Sequence, residues 1–292
     1  MNIFTKKKEG MKKSWRFAVL LLTALALSVI LSVTASAAPS SRVPVRWDSV
    51  GGSTALDDTA YLIDGVTYVP FRAFCVLANN CEVSWNASTR TATSKTAAGT
   101  RITARVGNEY IEFGDRVFFT AAPNRIVGDR LYVAIRPLAK CFGIGVGWDN
   151  ATRSVYLSRT GKTPRHDAGV YDADALYWLS HIIGAEAKGE PFRGQIAVGN
   201  VVLNRVDSRK YPNTIYDVIF DKKHGVQFSP TANGTIYAEP PADAVRAAKI
   251  CLEGYTLSDH ILYFFNPRIA QSHWISQNCT YAFRIGNHVF YV

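Results

Sequence analysis

The sequence predicts an α+β chain of two domains, a repeated β-rich front half over residues 43–159 and a mainly helical back half over residues 172–292. Three observations carry that reading. The front half repeats itself at a nearly fixed offset; Arg159–Tyr171 breaks every periodicity with Gly, Pro and charge, so residues 160–171 read as a linker; and the back half opens on two apolar-periodic runs. With 292 residues, 48% hydrophobic and 19% charged, the chain has the length and composition for two ordinary cores.

Residues 1–37 stand apart from both. Lys6, Lys7, Lys8, Lys12, Lys13 and Arg16 face only Glu9, an apolar run follows from Phe17 to Val33, and Ala35-Ser36-Ala37 precedes Ala38-Pro39. That order is an export signal, with cleavage expected near Ala37. An uncleaved anchor is the alternative, because the apolar run approaches the length of a membrane span. The segment carries +5 of the net charge of +10, leaving a moderate basic excess that suits an anionic cell wall. Nothing beyond it joins a dense Lys/Arg stripe to a reading motif, so no nucleic-acid partner is expected.

In the front half Tyr68-Val-Pro-Phe-Arg72 recurs as Tyr132-Val-Ala-Ile-Arg136, 64 residues on, and Val83-Ser-Trp85-Asn-Ala-Ser-Thr-Arg90 recurs as Val146-Gly-Trp148-Asp-Asn-Ala-Thr-Arg153, 63 residues on. Each copy reads as a strand entering a short helix, 70–77 or 135–142, then a turn and a paired strand. Between the copies, Arg101–Phe119 alternates apolar and polar residues as further strands. Trp85 and Trp148 are expected in the core. The Tyr-Val-Pro-x-Arg and Trp-Asn/Asp-x-x-Thr elements resemble the stalk-type domain named for the N-terminal domain of copper amine oxidases. The resemblance implies wall anchoring, spacing or self-association. This half has no histidine, and no copper ligand set is visible in it.

The back half begins where Asp172 or Asp174 can cap a helix running toward Ala187. Leu176, Leu179 and Ile183 form an apolar stripe, and Glu186 falls at its next step, which places a carboxylate on the buried face. Small neighbours at Gly184, Ala185 and Ala187 leave room for a polymer. Glu190-Pro191 ends this helix, and Gln195–Val206 reads as a second one, apolar around most of its circumference and therefore central. Asn200 and Asn204 on its surface need partners. Gln227-Phe-Ser-Pro230 follows a loop, Pro241 opens an Ala-rich helix through Leu252, and the remainder is dense in aromatics and amides.

These residues carry a family resemblance. Glu186-Ala-Lys-Gly-Glu190-Pro, Gln195-Ile-Ala-Val, Val202-Leu-Asn-Arg205-Val, Tyr211-Pro, Gln227-Phe-Ser, Tyr263-Phe-x-Asn-Pro267 and Ile285-Gly-x-His288-x-Phe290 resemble, in order, the catalytic domain of spore cortex-lytic and cell-wall hydrolases of the SleB/CwlJ type. The resemblance implies a lysozyme- or transglycosylase-like domain acting on peptidoglycan glycan strands, without a cofactor or metal. It identifies Glu186 as the catalytic glutamate. Substrate contacts are expected from Glu190, Asn204, Gln227, Phe228, Tyr263, Asn266, Trp274, His288 and Phe290.

Burial beside Leu179 and Ile183 should raise the pKa of Glu186 and fit it as a general acid. A hydrolase normally needs a second carboxylate. Asp207, Asp217, Asp221, Glu239, Asp243, Glu253 and Asp259 are available, and none lies in a marking motif. A lytic transglycosylase needs only the one glutamate, and the family resemblance favours that route. Hydrolysis with an unidentified second carboxylate and a non-catalytic wall-binding role stay open.

Two other chemistries find little support. Six histidines fall after the repeats without H-E-x-x-H or a one-helix spacing for a metal. Five cysteines show no C-x-x-C; Cys75–Cys81 and Cys251–Cys279 pairing, with Cys141 left over, competes with buried reduced thiols.

Overall fold

The computed structural model describes residues 41–47, 56, 60–165, 169–223 and 225–292. The expected signal segment, His166 and His224 lie outside the described residues. No helix among the described residues is long and apolar enough to cross a membrane.

The front half starts with β1 (Ser41–Arg42), β2 (Val45–Trp47) and β3 (Tyr61–Ile63). The first copy of the repeat follows as β4 (Val66–Pro70), α1 (Phe71–Asn79), β5 (Val83–Asn86) and β6 (Thr91–Lys95). After β7 (Arg101–Arg105), β8 (Tyr110–Phe113), β9 (Arg116–Phe119) and β10 (Arg125–Val127) comes the second, β11 (Arg130–Ala134), α2 (Ile135–Cys141), β12 (Ile144–Asp149) and β13 (Ser154–Arg159). The two copies meet strand to strand. β4 and β11 pair antiparallel with Val69 opposite Val133, so equivalent residues face each other across a local twofold. This pair is the centre of the sheet β1-β3-β4-β11-β10, while β5 to β9 form a meander and β12-β13-β2 a third sheet.

Inside each copy the helix sits over the strands because its apolar residues recur at helical spacing. In α1 these are Phe71, Phe74, Cys75 and Ala78, all buried. The helix ends at Asn80, whose left-handed φ of 48° is a conformation Asn tolerates better than most residues. Trp85 and Trp148 overturn the expectation of core packing. They are 44% and 38% exposed, although each shares its sheet face with a buried cross-strand partner, Ala92 or Val155, because each stands next to the hairpin turn at the edge of the core.

The back half contains α3 (Ala173–Ala187), α4 (Phe192–Asp207), α5 (Ile215–Phe220), α6 (Ser229–Asn233), a 3-10 turn at Thr235–Tyr237 and α7 (Ala242–Leu252). These are followed by β14 (Tyr263–Phe265), α8 (Trp274–Asn278), β15 (Tyr281–Ile285) and β16 (His288–Tyr291), with the strands forming an antiparallel sheet in the order β14-β16-β15. Asp172 caps α3 by accepting from Ala175 N at 2.8 Å. In α4 every residue from Gly194 to Val202 is buried.

Close approach of three helices depends on Gly199. A Cβ there would lie 2.7 Å from Cys251 Sγ on α7 and 2.9 Å from Ile183 Cδ1 on α3. Gly199→Ala is therefore expected to destabilise by about 1–3 kcal/mol in urea unfolding through overpacking. That outweighs the roughly 1 kcal/mol that Ala gains over Gly in a helix.

The halves are joined by more than the linker. Val117 of β9 lies in the back half's apolar cluster, Phe119 meets Tyr255 at 4.3 Å and Tyr110 meets Phe192 at 5.4 Å. Around this apolar contact, Arg193 reaches Glu109, Arg246 reaches Glu112 and Arg116 reaches Glu253. Glu253 also accepts from Lys140 at 3.3 Å and from Tyr171 Oη at 2.8 Å, so the front half and the end of the linker converge on one carboxylate.

All five cysteines are free thiols, which corrects the pairings Cys75–Cys81 and Cys251–Cys279. Cys251 points into the contact between α4 and α7, where its Sγ lies 3.4 Å from Ile196 O, and Cys81 points to Asn79 O.

Candidate active site

Glu186 stands in the last turn of α3, beside the fully buried Leu179, Ile182 and Ile183. The turn is wedged in place. Gly184 lies against Pro240 and Pro241 at the entry of α7, where a Cβ would sit 3.1–3.3 Å from the two rings. Burial alone raises the Glu186 carboxyl, from an ordinary 4.5 to about 7. Among the described residues it has no ion-pair or hydrogen-bond partner to favour its charge. It is a carboxyl that holds its proton close to neutral pH.

Glu190, four residues on, has a different occupation. Its carboxylate accepts from Asn287 N at 2.8 Å and from Asn287 Nδ2 at 3.1 Å, clasping the turn between β15 and β16. Gly286 in that turn has φ 59°, and the Glu190 carboxylate and Pro191 fill the space a side chain would need. Gln195 Nε2 donates to the Glu190 backbone carbonyl at 3.2 Å. Glu190 is thereby a structural clamp, not an open substrate contact. Gln195 and Asn287 were not among the residues expected at the site; an amide on a buried helix face and one beside a hairpin glycine are the only signals the sequence held for them.

Several expected substrate contacts turn out to be interior. Phe228 is 2% exposed and packs on Phe264, and Phe290 is fully buried in the back-half core. His288 is buried between Phe264 and Phe290, and burial pushes its imidazole below the ordinary range while Glu190 pulls the other way. Asn204 donates to Ser258 O and Ile261 O at 2.9 Å each. Asn200 does similar work on Tyr255 O and Leu257 N, so both amides pin residues 255–261 onto α4. Phe228, Phe290 and His288 hold the walls and present no free face, while Asn204 is half-buried and lines a small cavity with Asp207, Asp259 and His260.

What remains at the surface is a smaller set. Gln227, Tyr263 and Asn266 are half-buried and Trp274 is 55% exposed, with its ring edge-on to Tyr263 at 6.2 Å. Beneath them lies Arg205, buried among the rings of Tyr211, Phe228 and Tyr263 at 5.0–5.6 Å. It donates to Leu262 O at 2.8 Å and to Gln227 Oε1 at 3.4 Å. Burial holds its guanidinium below the ordinary range, and among the described residues no carboxylate lies within ion-pair distance. The aromatic cage substitutes for a counter-ion.

Of the seven carboxylates available as a second catalytic group, five are engaged elsewhere. Asp217 bonds Thr214, Asp221 accepts from Lys223 N, Asp243 pairs with Arg246, Asp259 with His260, and Glu253 joins the two halves. Among the described residues no three of His, Cys, Asp and Glu converge as a metal set.

Comparison with known proteins bears on this geometry. Residues 189–291 match the Cell Wall Hydrolase family. The match spans nearly all of the back half. Residues 49–157 match the Copper amine oxidase N-terminal domain family. The cell wall hydrolase half aligns with the spore cortex-lytic enzyme of Bacillus cereus at 36% identity over 120 residues, 41% of this chain and 45% of that enzyme. The spore cortex-lytic enzyme of Bacillus subtilis is 36% identical over 122 residues, 42% of this chain and 39% of its own length. The chain therefore spans less than half the length of these relatives. A solved structure, the catalytic domain of the germination-specific lytic transglycosylase SleB from Bacillus anthracis, is 35% identical over 43% of this chain and 99% of its own, with a TM-score of 0.39. The family match begins at Gly189, three residues after Glu186, so the role of Glu186 rests on its geometry.

Proposed function

We propose that this chain cleaves the glycan strands of peptidoglycan and that Glu186 is its general acid. The observation that carries the reading is a desolvated carboxyl at about pH 7, on the face of a fixed helix end, in a cell wall hydrolase half. Glu186 donates its proton to the glycosidic oxygen as the bond to the anomeric carbon breaks. The resulting carboxylate then removes the proton of the muramyl primary hydroxyl, whose oxygen closes on the anomeric carbon. The leaving sugar carries away one proton, Glu186 regains the other, and no water is consumed.

A single glutamate suffices for that cycle, and the commitment of Asp217, Asp221, Asp243, Glu253 and Asp259 to structural bonds supports it over a two-carboxylate hydrolysis. Gln227, Tyr263, Asn266 and Trp274 are the surfaces offered to sugar rings. The relatives' names, spore cortex-lytic enzyme, support a substrate in cortex or wall outside the cytoplasm, reached by way of the signal segment. Residues 43–159 accompany the catalytic half as a docked wall-facing domain.

Mass spectrometry of fragments released from purified sacculi tests the reaction. Anhydro-muramic ends are expected. Reducing muramic ends throughout would replace the transglycosylase route with hydrolysis.

A further inference from the structure

The two copies of the front repeat present the same residue types at the same places but spend them differently. In the second copy Arg136 donates to Val146 O at 2.8 Å and the Trp148 indole N–H donates to Asn150 Oδ1 at 2.9 Å. Both bond to the β12–β13 hairpin of their own copy. The equivalent residues of the first copy are Arg72 and Trp85, and neither has a hydrogen-bond or ion-pair partner among the described residues. Both line a cavity of about 700 Å³ between α1, the β5–β6 hairpin and the β10–β11 turn.

The cavity has the chemistry of a ligand site. Its floor is apolar, made by Phe71, Leu77 and Leu131, and its rim carries Arg72, Trp85, Asp129 and Arg130, all exposed. A volume within the range of roughly 300–1,000 Å³, an apolar base and a few polar groups at the edge describe a pocket for a small ligand or one segment of a polymer. An exposed indole face beside the unpaired guanidinium of Arg72 suits a sugar ring with a carboxylate close by, while Arg130 is paired with Asp129 at 3.7 Å. The ring's C–H face packs on the indole, and Arg72 bonds the acid in bidentate fashion. A plain neutral glucan would leave Arg72 unanswered.

We infer that the Trp85 cavity of the first repeat binds a peptidoglycan strand, with a sugar ring on the indole and a carboxylate of the attached peptide stem on Arg72. The choice of wall glycan among acidic saccharides rests on the function proposed for the back half. Because the halves are locked through Glu253, Glu109 and Glu112, a strand held there stays at a fixed offset from Glu186. The front half is on this account a second grip on the substrate.

The test uses the full chain carrying Glu186→Gln, co-sedimented with purified sacculi. Adding Trp85→Ala is expected to weaken binding at least tenfold with unchanged thermal unfolding, whereas Trp148→Ala, at the equivalent position outside the cavity, leaves binding within twofold. Arg72→Gln, a surface change that spares the apolar floor, is expected to weaken it at least threefold. Equal binding of all variants to sacculi, or equal losses from Trp85→Ala and Trp148→Ala, overturns the inference. Cleavage by the otherwise unaltered chain separates the two ideas. Fragment release with Trp85-independent binding sinks the cavity site alone, and Trp85-dependent binding without fragment release sinks the proposed reaction alone.

Discussion

Glu186→Gln is expected to lower fragment release from sacculi by about 10²–10⁴-fold while making the protein more stable in alkaline solution. The activity loss follows from removing the only group that gives and takes protons in the proposed cycle. The stability gain follows from linkage. In the unfolded chain Glu186 titrates at its ordinary 4.5, and in the folded chain at about 7. Below about pH 4.5 both states are protonated and burial of the neutral acid costs nothing electrostatic. As pH rises through the interval to 7, the unfolded chain ionises freely and the folded one does not, so stability falls and then levels off. A shift of this size corresponds to about 3 kcal/mol. Glutamine has no proton to lose, so the variant escapes the fall. Urea unfolding should show the two proteins nearly equal at pH 4 and the variant ahead by up to about 3 kcal/mol at pH 8.

Glu253→Ala is expected to have the largest effect on folding. The carboxylate is 5% exposed, receives two bonds of 2.6 Å from Arg116, and is bonded by Lys140 and Tyr171 as well. Burial opposes its charge, yet the bonds from Arg116 and Tyr171 prevail and hold the carboxyl below the ordinary range. Removing it leaves a partly buried guanidinium without its partner, a loss of about 3–5 kcal/mol. Asp243→Ala breaks a more exposed pair with Arg246 and should cost under about 1 kcal/mol. The depressed pKa fixes the pH sense. The contribution of Glu253 is present above its unfolded pKa and is lost as pH falls through the folded value. Denaturant titrations at pH 7 and pH 3 read both effects, and Glu253→Ala and the parent should converge at the lower pH.

Much of the site was legible because it is local. Helical spacing alone put Glu186 on the apolar side of α3, and the same arithmetic found two amides on α4 that needed partners. It did not say whether those partners would be substrate or backbone. Asn200 and Asn204 found carbonyls and an amide more than fifty residues away, and no short-range pattern encodes that pairing. Glu253 looked like one spare carboxylate among seven for the same reason, since Arg116 lies 137 residues before it.

The tryptophans of the repeat failed differently. Alternation tells which face of a hairpin an aromatic residue shares, but not whether the core extends far enough toward the turn to cover it. In both copies the residue opposite, Ala92 or Val155, is buried on the same face, and the Trp stays partly exposed beside the turn. Phe228 and Phe290 went the other way, drawn inward by the sheet β14-β16-β15 and by the ring cluster around Arg205. Aromatic composition announced a groove, and only the packing sorted wall from lining.

The account stands most directly on the protonation of Glu186 in the free protein. The dependence of kcat/KM for fragment release on pH, between 5 and 9, reports that ionisation. A descending limb centred near pH 7 is the expected result. A rate that stays level through pH 7 and beyond, or begins to fall near the ordinary 4.5 of a solvated glutamate, would contradict it.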